Sequence, residues 1–122
     1  MGKIIQIVED DEDIRFILEF ILADSGFILE TFNCIEAFIS AQQKQAVDLF
    51  ILDVRLPDGD GIELCRLLKN AEPTSKIPVI IMSAHANKDF ALHEGKADHF
   101  IAKPFDLDTF VGKIKYLLNQ AQ

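Results

Sequence analysis

Asp48-Leu49-Phe50-Ile51-Leu52-Asp53 is an apolar run closed by an acid, and its reading decides the fold. Apolar side chains at odd and even positions alike mean a strand buried on both faces, as in the middle of a parallel sheet covered by helices. Three other runs share its form. Lys3 to Val8 ends on Glu9-Asp10, Val79 to Met82 on Ser83, and His99 to Ala102 on Lys103-Pro104. If the four are parallel strands of one sheet, their carboxyl ends share an edge, where open α/β sheets bind ligands. Three acids, a hydroxyl and an ammonium would then converge on one place.

Helical patterns fill the spaces between the runs. Ile14, Ile17, Leu18, Ile21 and Leu22 repeat at helical spacing after the first strand, with Asp13 as the expected cap and Ser25-Gly26 as the stop. Phe27 to Phe32 reads as the second strand. Ile35, Phe38 and Ile39 mark a second helix ending near Gln42 to Gln45. Asp48 to Leu52 is the third strand, and Asp53 to Gly61 a loop rich in turn residues. Ile62, Leu64, Cys65, Leu67 and Leu68 form the third helix, and Pro73 and Pro78 bracket the approach to the fourth strand. Asn87 to Gly95 leaves room for about two helical turns. The last helix runs from about Asp106, with Leu107, Phe110, Val111, Ile114, Leu117 and Leu118 inward.

Five strands alternating with five helices predict a flavodoxin-like, doubly wound five-stranded parallel sheet of order 2-1-3-4-5. In that order strands one and three lie side by side at the switch point, where Glu9-Asp10 and Asp53 end. Residues 1–122 read as a single domain of 13.7 kDa, long enough to bury a core. No apolar run is long enough to span a bilayer, and no signal-peptide pattern opens the chain, so a cytoplasmic location is expected. The net charge of −8 argues against direct nucleic-acid binding. Cys34 and Cys65 fit no metal or redox spacing and are expected to be buried thiols in a reducing compartment.

Crowding Glu9, Asp10 and Asp53 costs about 4 kcal/mol per pair at ~4 Å and an effective dielectric near 20. Lys103 offsets part of this, and a hard divalent cation with oxygen ligands offsets the rest. Mg²⁺ suits such a site because it keeps waters and takes one or two carboxylates directly. Carboxylates also serve as nucleophiles toward phosphoryl groups. With Asp53 as the acceptor, Lys103 and Ser83 are placed to meet the phosphoryl oxygens, and catalysis is mainly positioning and charge stabilisation.

The segments Val8-Glu-Asp-Asp-Glu-Asp-Ile-Arg15, Leu52-Asp-Val-Arg-Leu-Pro-Asp-Gly-Asp-Gly61, Ile81-Met-Ser-Ala84 and Phe100-Ile-Ala-Lys-Pro-Phe105 resemble the receiver domains of bacterial two-component response regulators. Each motif alone is weak; four in the family's order, over nearly the whole chain, are specific. The resemblance implies that Asp53 is the phospho-acceptor, Asp10 a direct Mg²⁺ ligand, Glu9 a ligand through water, and the main-chain carbonyl of Arg55 the third protein ligand. Asp11 falls outside that set. It also implies that Ser83 and Phe100 form the switch, that the Lys103-Pro104 bond is cis, and that output uses helix four, strand five and helix five. The phosphoryl donor would be a sensor histidine kinase or a phosphotransfer protein. With no output module read after residue 122, output is expected through protein contact or a phosphorylation-dependent homodimer. Such a domain catalyses only its own phosphorylation and dephosphorylation.

Other readings stay open. The chain could be a phosphorelay carrier or a receiver cut from a larger regulator or hybrid kinase. A Mg²⁺-dependent phosphatase with an aspartyl intermediate would need a second acid two residues past the nucleophile, where this chain has Arg55. Singly, Asp53 could cap a loop, Glu9 to Asp11 could be a solvated helix entry, and Ser83 and Lys103 ordinary surface groups. Phe16, Phe20, Phe27, Phe32 and Phe38 are expected to be packing aromatics, and His99 to be exposed. Two departures from the family pattern stand out. The Ser83–Lys103 spacing is tight and Gly95 comes one place early, predicting a short or partly unwound fourth helix. Arg55 and His85 flank the expected path of the hydrolytic water, where bulk and charge would slow loss of the phosphoryl group.

Overall fold

Alternation along the central strand builds the two faces of the sheet. Leu49 and Ile51 point into one core with Ile5, Ile7, Ile80 and Met82, whereas Phe50 and Leu52 point into the other with Val8, Val79 and Ile81. All are essentially without solvent exposure. In the computed structural model, which describes residues 2–41, 46–84 and 88–120, the strands are β1 (Ile4–Val8), β2 (Ile28–Phe32), β3 (Leu49–Asp53), β4 (Val79–Ser83) and β5 (His99–Ala102). They are parallel and ordered β2-β1-β3-β4-β5, the doubly wound arrangement expected from the sequence. The helices are α1 (Glu12–Asp24), α2 (Ile35–Ser40), α3 (Gly61–Asn70), α4 (Lys88–His93) and α5 (Leu107–Gln120). Leu18 and Leu22 of α1 and Phe110, Ile114, Leu117 and Leu118 of α5 cover one face. Phe38 of α2, Ile62, Leu64, Cys65 and Leu68 of α3, and Ala91 of α4 cover the other. Phe38 sits edge-to-face against both Phe32 and Phe50, with ring centroids 5.6 Å apart in each pair.

Several local expectations change. Asp11, not Asp13, caps α1: its carboxylate accepts from the Asp13 and Ile14 amides, because the helix starts with a polar turn ahead of its first apolar residue. Gly26, at φ 92°, ends that turn of chain, and the strand begins at Ile28 rather than Phe27. The stretch after Asp53 is a small hairpin, Arg55–Leu56 against Gly59–Asp60, instead of an open loop. Phe16 and Phe20 are not packing aromatics, being 69% and 71% exposed. They lie about 200° around α1 from the inward Leu18 and Leu22. His99 is half-buried rather than exposed, and Cys34 is half-buried at the N-cap of α2 whereas Cys65 is fully buried. Among the described residues α4 covers Lys88–His93, matching the expected short helix. The end foreseen for α2 at Gln42 to Gln45, and the positions of His85 and Asn87, lie outside the described residues.

Candidate functional site

The carboxyl ends of β1, β3, β4 and β5 meet as expected. Glu9 continues β1 by one residue, its amide donating to the Phe32 carbonyl (3.0 Å), which turns its side chain inward. Asp53 is the last residue of β3, in register with Met82 of β4. Ser83 closes β4, and its carbonyl accepts from the Lys103 amide (2.9 Å), fixing the start of the β5–α5 turn. The Lys103-Pro104 peptide bond is cis, as the resemblance implied. Gly61 allows α3 to begin directly beneath β3: a Cβ there would stand 1.8 Å from the Asp53 carbonyl oxygen.

These elements enclose a cleft of about 240 Å³ lined by Glu9, Asp10, Asp11, Asp53, Arg55, Ser83, Ala84 and Lys103. Carboxylate oxygens of Glu9, Asp10 and Asp53 lie within 4.8 Å of one another. Lys103 Nζ reaches into the group, 2.7 Å from Glu9 Oε1 and 3.4 Å from Asp53 Oδ2. The other Glu9 oxygen accepts from the Asp11 amide (3.1 Å), and Asp53 Oδ1 accepts from the Val54 amide (2.8 Å). Asp53 and Ser83 are buried, 7% and 3% exposed, whereas Asp10 faces solvent.

Burial dominates the electrostatics of Glu9. It raises the carboxyl from 4.5 to about 7; the Lys103 and Asp11 hydrogen bonds oppose that rise, and Asp53 adds to it. Burial alone would lower the Lys103 ammonium, but its hydrogen bond to Glu9 and the charges of Glu9 and Asp53 outweigh it, leaving the ammonium held above its usual value. Three carboxylates facing one ammonium form a hard-oxygen donor set with excess negative charge, which fits a small divalent cation.

Among the described residues the sequence-derived candidates therefore gather here, with Pro104 on the adjoining groove, except Phe100. That residue lies beside Ile81 in the sheet register and packs, half-buried, against the α2–α3 side of the core. His85 lies outside the described residues. Sequence reasoning missed two residues that shape the site. Arg15 Nη1 donates to the Glu9 carbonyl (2.8 Å), and Asp58 ties the hairpin to α2. The first has a sequence signal, an arginine one helical turn past the Asp11 cap; the second has none.

A doubly wound α/β domain with an acidic cleft and a lysine at its switch point has its polar side chains where open parallel sheets bind ligands. The response regulator receiver domain model matches residues 5–115, and the chain belongs to that family, the receiver domains of two-component regulators. It is 36% identical over 124 residues to the transcriptional regulatory protein GltR of Pseudomonas aeruginosa, covering 99% of this chain and 51% of that protein. It is 33% identical over 121 residues to the DNA-binding transcriptional regulator NtrC of Escherichia coli, covering 98% of this chain and 25% of that protein. The chain thus spans about half of the first of these curated relatives and a quarter of the second. The signal receiver domain of a signal transduction histidine kinase from Syntrophus aciditrophicus superposes with a TM-score of 0.91 at 30% identity, over 99% of this chain and 93% of that one. Receiver domains are switched by phosphorylation of an aspartate, bind Mg²⁺ in an acidic pocket, and interact with histidine kinases or phosphotransfer proteins. Among the described residues no helix is long and apolar enough to cross a membrane.

Proposed function

We propose that residues 1–122 act as one receiver domain in the cytoplasm, with Asp53 as the phospho-acceptor. An Asp53 carboxylate oxygen attacks the phosphorus of a phosphohistidine, the nitrogen–phosphorus bond breaks, and an aspartyl phosphate forms. The observation that carries this reading is the Lys103 ammonium bridging Asp53 and Glu9 at 3.4 and 2.7 Å inside the acidic cleft. The charge of a transferring phosphoryl group then develops beside a fixed cation.

Asp10, Asp53 and the Arg55 carbonyl would hold Mg²⁺ directly. Glu9 would act through water, consistent with both of its oxygens being engaged by Lys103 and the Asp11 amide. The ion would supply positive charge that offsets the charge of the carboxylates and of an incoming phosphoryl group. Ser83 donates to a phosphoryl oxygen, and Phe100 follows it inward, biasing the α4–β5–α5 face between two arrangements. Arg55 at the cleft margin and His85 slow hydrolysis by crowding the attacking water. An apolar groove of about 330 Å³ borders the cleft, formed by Ile14, Ile17, Leu18, Pro104, Phe105 and Leu107 with Ala84 and Lys103. A donor that docks on this groove is seated beside the cleft, through the shared Ala84 and Lys103. No separate substrate is turned over.

Incubation with Mg²⁺ and acetyl phosphate, followed by intact mass, tests the reading. The expected result is a Mg²⁺-dependent gain of one phosphoryl group that Asp53→Asn abolishes. A gain that persists in Asp53→Asn would assign the acceptor elsewhere.

A further inference from the structure

The hairpin that carries Arg55 is held at both ends. At its base, the Val54 amide donates to the Met82 carbonyl (3.2 Å) and the Gly61 amide to the Val54 carbonyl (2.8 Å). At its tip, Asp58 reaches across to a helix more than twenty residues earlier. Its Oδ1 accepts from the Ile35 amide (2.8 Å) and its Oδ2 from the Glu36 amide (2.9 Å).

Those two amides need a partner from elsewhere. The N-cap of α2 is Cys34, whose sulfur meets only the Ala37 amide, at 3.5 Å. Sulfur is a weak acceptor, so the first turn of α2 is poorly capped by its own N-cap residue. A carboxylate supplied from the distant hairpin satisfies both remaining donors, and the two amides draw Asp58 below the usual carboxylate range. The neighbouring Gly59 packs so closely that a Cβ there would stand 2.7 Å from Ile35 Cδ1. Tip and helix start are one unit.

We propose that Asp58 is a positioning residue: by fastening the hairpin tip to the start of α2, it holds the Arg55 main-chain carbonyl where Mg²⁺ is bound. Arg55 and Asp60 pair across the hairpin, so displacement of the tip carries the Arg55 backbone with it. The inference rests on the proposed role of Arg55 as a ligand. It assigns to this chain a support that lies outside the cleft lining and whose carboxylate is held by the Ile35 and Glu36 amides.

Two measurements on the full chain test it together: calorimetric Mg²⁺ affinity, and amide hydrogen exchange of Ile35 and Glu36 in the metal-free protein. Asp58→Ala should weaken Mg²⁺ binding about tenfold, as loss of an outer support of a metal ligand does, and should speed exchange at both amides. Asp58→Asn keeps one acceptor oxygen and should recover part of each effect. Asp106→Ala, which removes the side-chain acceptor of the Thr109 amide at the start of α5, should leave Mg²⁺ affinity unchanged and so controls for general loss of a cap. Faster exchange in Asp58→Ala with wild-type Mg²⁺ affinity would overturn the positioning role while leaving the receiver reading intact. Unchanged exchange would overturn the latch itself. A wild-type protein without measurable Mg²⁺ affinity would defeat the proposed function, and this inference with it.

Discussion

The two edges of the sheet use the same residue type in opposite ways. All five strands point in one direction, so their first residues share one edge and their last residues the other. At the amino edge Asp48 accepts from the Ile4 amide (2.8 Å). Asp98 accepts from the Val79 amide (2.8 Å) and from Lys69 Nζ (3.0 Å). There a carboxylate completes the ladder. At the carboxyl edge Glu9, Asp10 and Asp53 meet one another, within 4.8 Å, and share a single lysine. Acids placed at the amino edge stabilise the fold, and acids placed at the carboxyl edge are crowded together, a cost that a bound cation would relieve.

The largest effect that would sharpen this contrast is chemical. Lys103→Met removes the cation of the carboxyl edge and should slow phosphorylation by acetyl phosphate about 100-fold, the scale of losing one electrostatic stabiliser. A rate within about threefold of wild type, outside the usual range for such a group, would separate Lys103 from the transfer step.

Next in size is the amino edge. Asp98→Ala strands the Val79 amide and leaves Lys69 with the Ile77 carbonyl in place of its carboxylate partner, and should lower the unfolding free energy by about 1–3 kcal/mol in urea titration. Its phosphorylation rate should stay near wild type. Loss of activity with unchanged stability would break the division of labour between the edges.

A third effect is a pH slope. The fold raises the Glu9 carboxyl from 4.5 to about 7, chiefly by burial, so the native state holds a proton that the unfolded chain releases in that window. The Glu9 contribution to metal-free stability is therefore full below about 4.5 and is lost as pH rises to about 7. Urea titrations of wild type and Glu9→Gln across this range should differ in slope, the wild type declining more steeply. Parallel curves would mean that Lys103 compensates Glu9 completely.

Much of this arrangement was legible because it follows from strand geometry. Four apolar runs ending on Glu9-Asp10, Asp53, Ser83 and Lys103 can share an edge only if the strands are parallel, and parallel strands buried on both faces show unbroken apolar sequence. The site then assembles from strand ends alone. What stayed hidden depends on side chains that reach across space. Asp58 caps a helix 22 and 23 residues earlier, and no local pattern marks it. The cap of α1 was misplaced by two residues because Asp11 and Asp13 are chemically equivalent candidates, and only the backbone decides between them. Phe16 and Phe20 were misjudged because composition favours burying aromatics, while helical phase puts this pair on the side opposite Leu18 and Leu22.

The most direct test of the contrast is the unfolding free energy of metal-free protein at a pH above 7, measured side by side for wild type, Glu9→Gln and Asp98→Ala. The account predicts opposite signs: Glu9→Gln gains stability by removing a buried, crowded charge, and Asp98→Ala loses it by orphaning a strand amide. If both variants lose stability, the acids of the carboxyl edge are structural groups like those of the amino edge, and the claim that they are held for phosphoryl chemistry is contradicted.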